Sequence, residues 1–138
     1  MNLRGLFMAM TMIKIKDGAL SISAAGMPPM LIFRRATNSV EELALYGMPL
    51  GSVLTFPYKQ RTLELSSGDA VMLMSDGFPE RFNLQDEMID YDKAKMMLAE
   101  VAHESPQAII NRFVQVGEDW ADGRPQDDDV TFVVLKVV

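Results

Sequence analysis

Between Leu65 and Asn83 the chain reads LSSGDAVMLMSDGFPERFN, and its apolar and polar positions fall into three parts. Gly68-Asp69 is a turn signal, Ala70 to Met74 an unbroken apolar run, and Ser75-Asp76-Gly77 an abrupt polar stop. A short apolar run bounded in this way predicts a buried strand. It leaves the Asp76 carboxylate at the strand's end, beside a glycine that lets the backbone turn sharply. Two readings stay open there. Asp76 either meets a hard cation or a phosphate-bearing ligand at the rim of a sheet, or merely caps a turn.

The segments before it are nearly all strand-like. Leu6 to Ile15 predicts a first strand, with Met8, Met10 and Met12 on one face and Phe7, Ala9, Thr11, Ile13 and Ile15 on the other. Both faces are largely apolar, the pattern of a strand covered on both sides, so these methionines are read as core filler. Lys16-Asp17-Gly18 is a tight-turn signal, and Ala19 to Ala25 is the expected hairpin partner. Gly26-Met27-Pro28-Pro29 interrupts the pattern, since proline cannot donate to a ladder. Met30 to Arg34 and Val40 to Leu45 predict two more strands, joined by a turn at Thr37-Asn38-Ser39. Tyr46 to Gly51 reads as a loop. Thr55 to Leu65 predicts a longer strand, with Pro57 pointing to an edge or a bulge.

After Asn83 the period changes. Ala94, Met97, Leu98 and Val101 fall at spacings of three and four, which predicts a helix over Tyr91 to Val101. Ser105-Pro106 is a helix start, serine as N-cap and proline at the first helical position. Ile109, Ile110, Phe113, Val114, Val116 and Trp120 then form a broad apolar stripe, with Trp120 read as core and the helix ending near Asp122-Gly123. Arg124 to Asp129 is a polar loop, and Val130 to Val138 is an almost continuous apolar run expected as a central strand. Strands, two helices and a last strand make an α+β layout.

Composition narrows the picture. The chain has 138 residues, one domain's worth, with 49% hydrophobic and 23% charged residues. No apolar run reaches the roughly 18 residues of a membrane span, and Lys, Arg and Thr break the N-terminal stretch too often for a signal peptide. There is no cysteine, which excludes disulfides and thiolate metal sites. A cytoplasmic location is the expectation that follows, with no membrane contact. The net charge of -6, without a Lys/Arg cluster, argues against nucleic-acid binding.

A second acidic feature, Asp127-Asp128-Asp129, precedes the last strand. Adjacent carboxylates repel one another, so such a cluster is either fully solvated or neutralised by a divalent cation. Mg²⁺ and Mn²⁺ take oxygen ligands and keep several waters, so two or three aspartates from different strand ends suffice. If the strands ending at Asp76 and beginning after Asp128 are antiparallel neighbours, the two carboxylates lie at one end of the sheet. His103, near a helix end, suits the helix dipole. Glu80 is read as a solvated loop residue or one shaping the site, and Arg34 and Arg35 as a solvated strand end rather than a phosphate contact.

With these residues in view the chain resembles a family. GDAVMLMSDGFPERFN is similar to the GD-x-L-x-L-x-[ST]-DG-x-x-E motif of bacterial metal-dependent protein phosphatases, the protein phosphatase 2C-like enzymes of the SpoIIE/RsbU type. SISAAGMPPMLIF resembles that family's N-AGH-PP stretch, YGMPLG its G-x-PLG loop, and QDDDVTFVVLKV its terminal DD-[IV]-T motif, all in the family's order.

The resemblance implies a β-sandwich flanked by helices and a two-metal centre of Mn²⁺ or Mg²⁺. Catalysis would come from metal-activated water attacking a phosphoserine or phosphothreonine, with no other catalytic residue. Asp76 and Asp128 match metal ligands of the family. Asp129 and Gly77 are expected beside those ligands or on a metal, and Thr131 in a local hydrogen bond. Asp127 has no assignment, and no substrate-binding residue is identified. Met27 stands where many members have histidine, which leaves the loop's shape intact. The implied partner is a phosphoprotein regulator of the anti-sigma-antagonist type.

The family's further block of roughly a hundred residues, with a GD-x-x-D motif that bridges the metals, has no counterpart before Leu6. Residues 1–138 are therefore expected to be the C-terminal portion of the domain, an incomplete fold with weak metal binding and little activity of its own. Missing strands would leave open edges and uncovered apolar faces, which predicts self-association. The alternative is a non-catalytic partner-binding or sensing module of the same fold, which would need neither Asp76 nor Asp128.

Overall fold

The computed structural model describes residues 5–138. The first four, part of the stretch judged unlike a signal peptide, lie outside them. Seven strands and two helices follow in the order β1 (Met10–Lys16), β2 (Ala19–Ala25), β3 (Met30–Arg34), β4 (Ser39–Leu43), β5 (Gln60–Glu64), β6 (Ala70–Met74), α1 (Tyr91–Val101), α2 (Pro106–Ala121) and β7 (Phe132–Lys136). They form two compact units, Met1–Pro29 with Ala44–Ser66, and Met30–Leu43 with Ser67–Val138.

The first unit carries a three-stranded antiparallel sheet, β1-β2-β5. Its hairpin turn places Asp17 and Gly18 at φ 51° and 77°, the left-handed pair whose twist suits a two-residue hairpin loop. Leu20, Ile22 and Ala24 share one face of β2 and are buried. The first strand departs from expectation. It begins at Met10, with Met8 making only an isolated bridge to Leu50, and Met8, Met10 and Met12 are exposed rather than core. The cause lies across the ladder. Met12 faces Ser23, which faces Gln60, and Lys14 faces Ser21, which faces Thr62. Met12 thus shares its face with polar neighbours, a fact that one strand's own pattern cannot carry, while Met10 faces Ala25 and Met8 faces Leu50.

The fifth strand is shorter than predicted because Tyr58 N–H donates to the Phe56 carbonyl at 2.9 Å, closing a three-residue turn around Pro57 before Gln60. Two loops of this unit fit each other closely. Gly26 N–H donates to the Gly47 carbonyl at 2.7 Å, and Tyr58 Oη to the Met48 carbonyl at 2.8 Å. A Cβ on Gly47 would collide with the Ala24 carbonyl oxygen, so only glycine allows that approach.

The second unit carries an antiparallel sheet in the order β4-β3-β6-β7 with both helices. Leu31 and Phe33 of β3 and Ala70, Met72 and Met74 of β6 pack with Ala94, Met97 and Leu98 of α1 and Ile109 and Phe113 of α2. Ile32 and Val71, on the opposite face, are buried as well, so β6 is the buried strand its composition predicts. Both helices start on side-chain caps: Asp90 accepts from Lys93 N–H at 2.8 Å, and Ser105 Oγ from Ala108 N–H at 3.2 Å. The last strand is an edge strand, not a central one. It pairs with β6 alone among the described residues, and Val133 is half-exposed. Its apolar content has a one-sided cause, since Phe132 and Val134 pack against the helical core.

Candidate functional site

β6 and β7 are antiparallel neighbours, with Met74 opposite Phe132. The end of β6 and the approach to β7 therefore meet at one end of the sheet, and Asp76 and Asp128 both lie there, exposed. Ser75 fastens the two chain segments. Its N–H donates to the Thr131 carbonyl at 3.1 Å, its Oγ donates to the Asp129 carbonyl at 2.9 Å and accepts from Thr131 N–H at 2.9 Å.

Gly77 allows this closeness by having no side chain. A Cβ there would strike the Asp129 carbonyl oxygen and lie 3.1 Å from that of Asp128. The sequence reading gave Gly77 the task of turning the backbone. Gly77 is absent from the glycines with positive φ, so its reason is space rather than backbone freedom.

The turn after Asp76 is anchored from below. Glu80 N–H donates to the Asp76 carbonyl at 3.0 Å, and Phe78, buried, packs against Phe113 and Phe132 with ring centroids 5.2 and 5.1 Å away. Across the gap, the three adjacent aspartates have three different fates. Asp127 pairs with Arg124 Nε at 3.5 Å, Asp128 Oδ1 accepts from the next N–H at 2.7 Å, and Asp129 offers its carbonyl to Ser75. Arg124 also binds Asp86 at 2.6 Å and the Asn83 carbonyl at 2.9 Å, tying the acidic loop to the 83–86 turn. Asp127 thus acquires a role that sequence alone left open.

Tyr91, the first residue of α1, belongs to the same electrostatic neighbourhood. Burial raises its pKa first, and the negative charges of Glu80, Asp76 and Glu42 raise it further. Nothing in the sequence pattern signalled it beyond its place at a helix start. Glu80 is exposed, as expected of a loop residue, and His103 is exposed just beyond α1.

Arg34 is not a free strand end. It pairs with buried Asp69 at 3.0 Å and with Glu41 at 3.1 Å, while Arg35 N–H donates to Asp69 at 2.9 Å. Asp69, read from sequence as a turn residue, is the buried acceptor joining β3 to β6. Trp120 is half-buried against the core; its Nε1 donates to the Glu87 carbonyl at 3.1 Å and Lys93 Nζ lies 3.6 Å from its ring.

Exposed aspartate oxygens, as on Asp76 and Asp128, are the donor type a hard divalent ion takes. They do not complete a site. Among the described residues no group of three or more His, Cys, Asp or Glu side chains stands close enough to hold a metal. No helix among them is long and apolar enough to cross a membrane.

Comparison with known proteins adds the following. The family model for stage II sporulation protein E, SpoIIE, matches residues 3–138. No match was found among curated proteins. Among solved structures, the SiaA-PP2C domain of Pseudomonas aeruginosa is similar at a TM-score of 0.77 and 19% identity, over 88% of this chain and 47% of that one. The phosphatase domain of the cell fate determinant SpoIIE from Bacillus subtilis is similar at 0.69 and 20%, over 95% and 56%. The RsbU and RsbW domains of Rv1364c from Mycobacterium tuberculosis are similar at 0.68 and 24%, over 93% and 35%. Such identities establish the fold, which is PP2C-like. The chain spans about half, or less, of each of these structures.

Proposed function

This chain belongs to the SpoIIE family, and on that premise we propose that it is the C-terminal portion of a Mn²⁺- or Mg²⁺-dependent protein serine/threonine phosphatase domain. The observation that carries the reading is the convergence of Asp76 and Asp128 at one end of the β6–β7 pair, within a chain matching the family over residues 3–138. A bound metal would lower the pKa of a water ligand, supplying hydroxide for in-line attack on a phosphoserine or phosphothreonine.

The chain's own residues account for the rest of the proposal. Asp76 and Asp128 supply two oxygen ligands, while Gly77, Asp129 and the anchored Phe78 turn fix where they stand. Charge supports the metal requirement. Asp76, Glu80 and Asp128 are exposed carboxylates, and a site of that sign repels a phosphate ester until a divalent cation reverses it. The remaining ligands would come from residues outside these 138. The substrate in this proposal is a cytoplasmic phosphoprotein of the anti-sigma-antagonist type, in bacterial signalling or sigma-factor control.

The test is phosphate release from a phosphoserine peptide, across a Mn²⁺ titration, by the native protein that carries this chain. Mn²⁺-dependent release that falls at least about 100-fold in Asp76→Asn is expected, and little or none from residues 1–138 by themselves. Release indifferent to Asp76→Asn, or none by the native protein with either metal, would overturn the reading in favour of a non-catalytic binding module.

A further inference from the structure

The two proposed ligands sit on different segments, and something must set the gap between them. Asp76 continues from β6, whereas Asp128 lies in a loop of exposed residues, Gln126 to Asp129, before β7 begins. The regular ladder ends at the Met74–Phe132 pair, and beyond it the backbone of Ser75 adds its N–H bond to the Thr131 carbonyl at 3.1 Å. The Ser75 side chain adds two more bonds there. Ser75 Oγ accepts from Thr131 N–H at 2.9 Å and donates to the Asp129 carbonyl at 2.9 Å, using both its donor and an acceptor position on the opposite segment. Alanine can do neither. Gly77 leaves the space that lets the segments close to this distance.

We propose that Ser75 is a positioning residue: its hydroxyl extends the β6–β7 pairing by one side-chain clasp and so holds Asp128 at the separation from Asp76 that a divalent cation needs. This rests on the metal reading given above. It adds that Ser75 acts on metal affinity without touching the metal, as groups that orient ligands do.

The experiment is titration of the full 138-residue chain with Mn²⁺ alone, read by paramagnetic broadening of the Gly77 and Asp129 amide signals, which registers weak binding. Wild type, Ser75→Ala, Ser75→Thr and Asp76→Asn are compared, with melting temperature and the exchange rate of the Thr131 amide measured on each. The expected result is a Mn²⁺ midpoint about 10-fold or more higher in Ser75→Ala, restored in Ser75→Thr, with faster Thr131 exchange in Ser75→Ala only. Melting temperatures are to stay within a few degrees, so the affinity change is not a loss of fold.

An unchanged midpoint or unchanged Thr131 exchange in Ser75→Ala, beside a wild type that binds, would overturn the role of Ser75 and leave the metal reading standing. A midpoint shift that Ser75→Thr fails to restore would also overturn it. A wild type that Mn²⁺ does not broaden, or broadens equally in Asp76→Asn, would show that Asp76 and Asp128 do not share an ion in this chain and would overturn the positioning role, while the metal reading of the native protein stands or falls on its own test of phosphate release.

Discussion

The two sheets are built from strands of similar length, the second richer in apolar residues, and they end in different states. In the second unit Leu31, Phe33, Met72 and Met74 meet α1 and α2, and the apolar face closes into a core with three mutually packed phenylalanines. In the first unit Met10 and Met12 lie exposed, opposite Ala25 and Ser23, and Val53, Leu54 and Tyr46 of its loops are exposed too. A strand's apolar pattern states what it is able to bury. Whether it does so depends on which elements are present to cover it. The proposed site sits on the closed unit, where a rigid sheet end can hold carboxylates in place.

The strongest way to break this contrast is to open the closed core. Phe113→Ala removes the ring that Phe78 and Phe132 pack against, and is expected to cost about 3–5 kcal/mol. Leu54→Ser, on a fully exposed side chain of the first unit, should change stability by no more than about 0.5 kcal/mol. Denaturant unfolding of both variants measures the difference; a loss in Leu54→Ser as large as that in Phe113→Ala would mean that the Leu54 side chain is buried in solution.

Gly77→Ala tests the sheet end itself. Its Cβ meets backbone rather than a yielding side chain, so the 128–129 segment must move, at about 1–3 kcal/mol. Thermal unfolding and Mn²⁺ binding should fall together, whereas an innocuous Gly77→Ala would contradict the close approach. Met12→Glu acts on the open face. It should leave unfolding unchanged within about 0.5 kcal/mol. If exposed apolar surface drives self-association, as proposed from the sequence, light scattering at high concentration should show smaller particles than wild type. A wild type that stays monomeric would remove that proposal.

Much of the fold was legible in advance, for reasons that differ along the chain, and of the proposed site the sequence offered its two aspartates. Ala19–Ala25, Met30–Arg34, Ala70–Met74 and Tyr91–Val101 match their predicted bounds, because in each a local period agrees with local stops. The antiparallel neighbourhood that joins Asp76 to Asp128 was stated only as a condition, since pairing is not written in either strand alone; the ladder supplies it. Beside the edge position of the last strand and the shortened fifth strand, three residues were misread or missed. Met12 looked like core because the serine it faces, Ser23, lies across a ladder and away in sequence. Asp69 looked like a turn residue because its partner Arg34 is 35 positions distant. Tyr91 carried no signal beyond its place at a helix start, because its raised pKa comes from burial and then from charges on two other segments, the 76–80 turn and β4.

Tyr91 offers the smallest expected effect, and one that reads the field of the site directly. Its folded pKa is raised above the ordinary 10, chiefly by burial and then by Glu80, Asp76 and Glu42. The folded state therefore holds the phenolic proton more tightly than the unfolded state does. This contribution is fully present below pH 10 and is lost as pH rises through the folded pKa, so wild type should lose stability on the alkaline side. Tyr91→Phe has no proton to lose and should lack that part of the decline. Unfolding measured from neutral pH to above 10 separates the two curves, and parallel curves would mean that the phenol titrates freely. Asp76→Asn sharpens the point, since removing one of the three charges should bring the tyrosinate transition back toward 10 while burial keeps it above. An unmoved transition would place the Asp76 carboxylate too far from Tyr91 to belong to the same site.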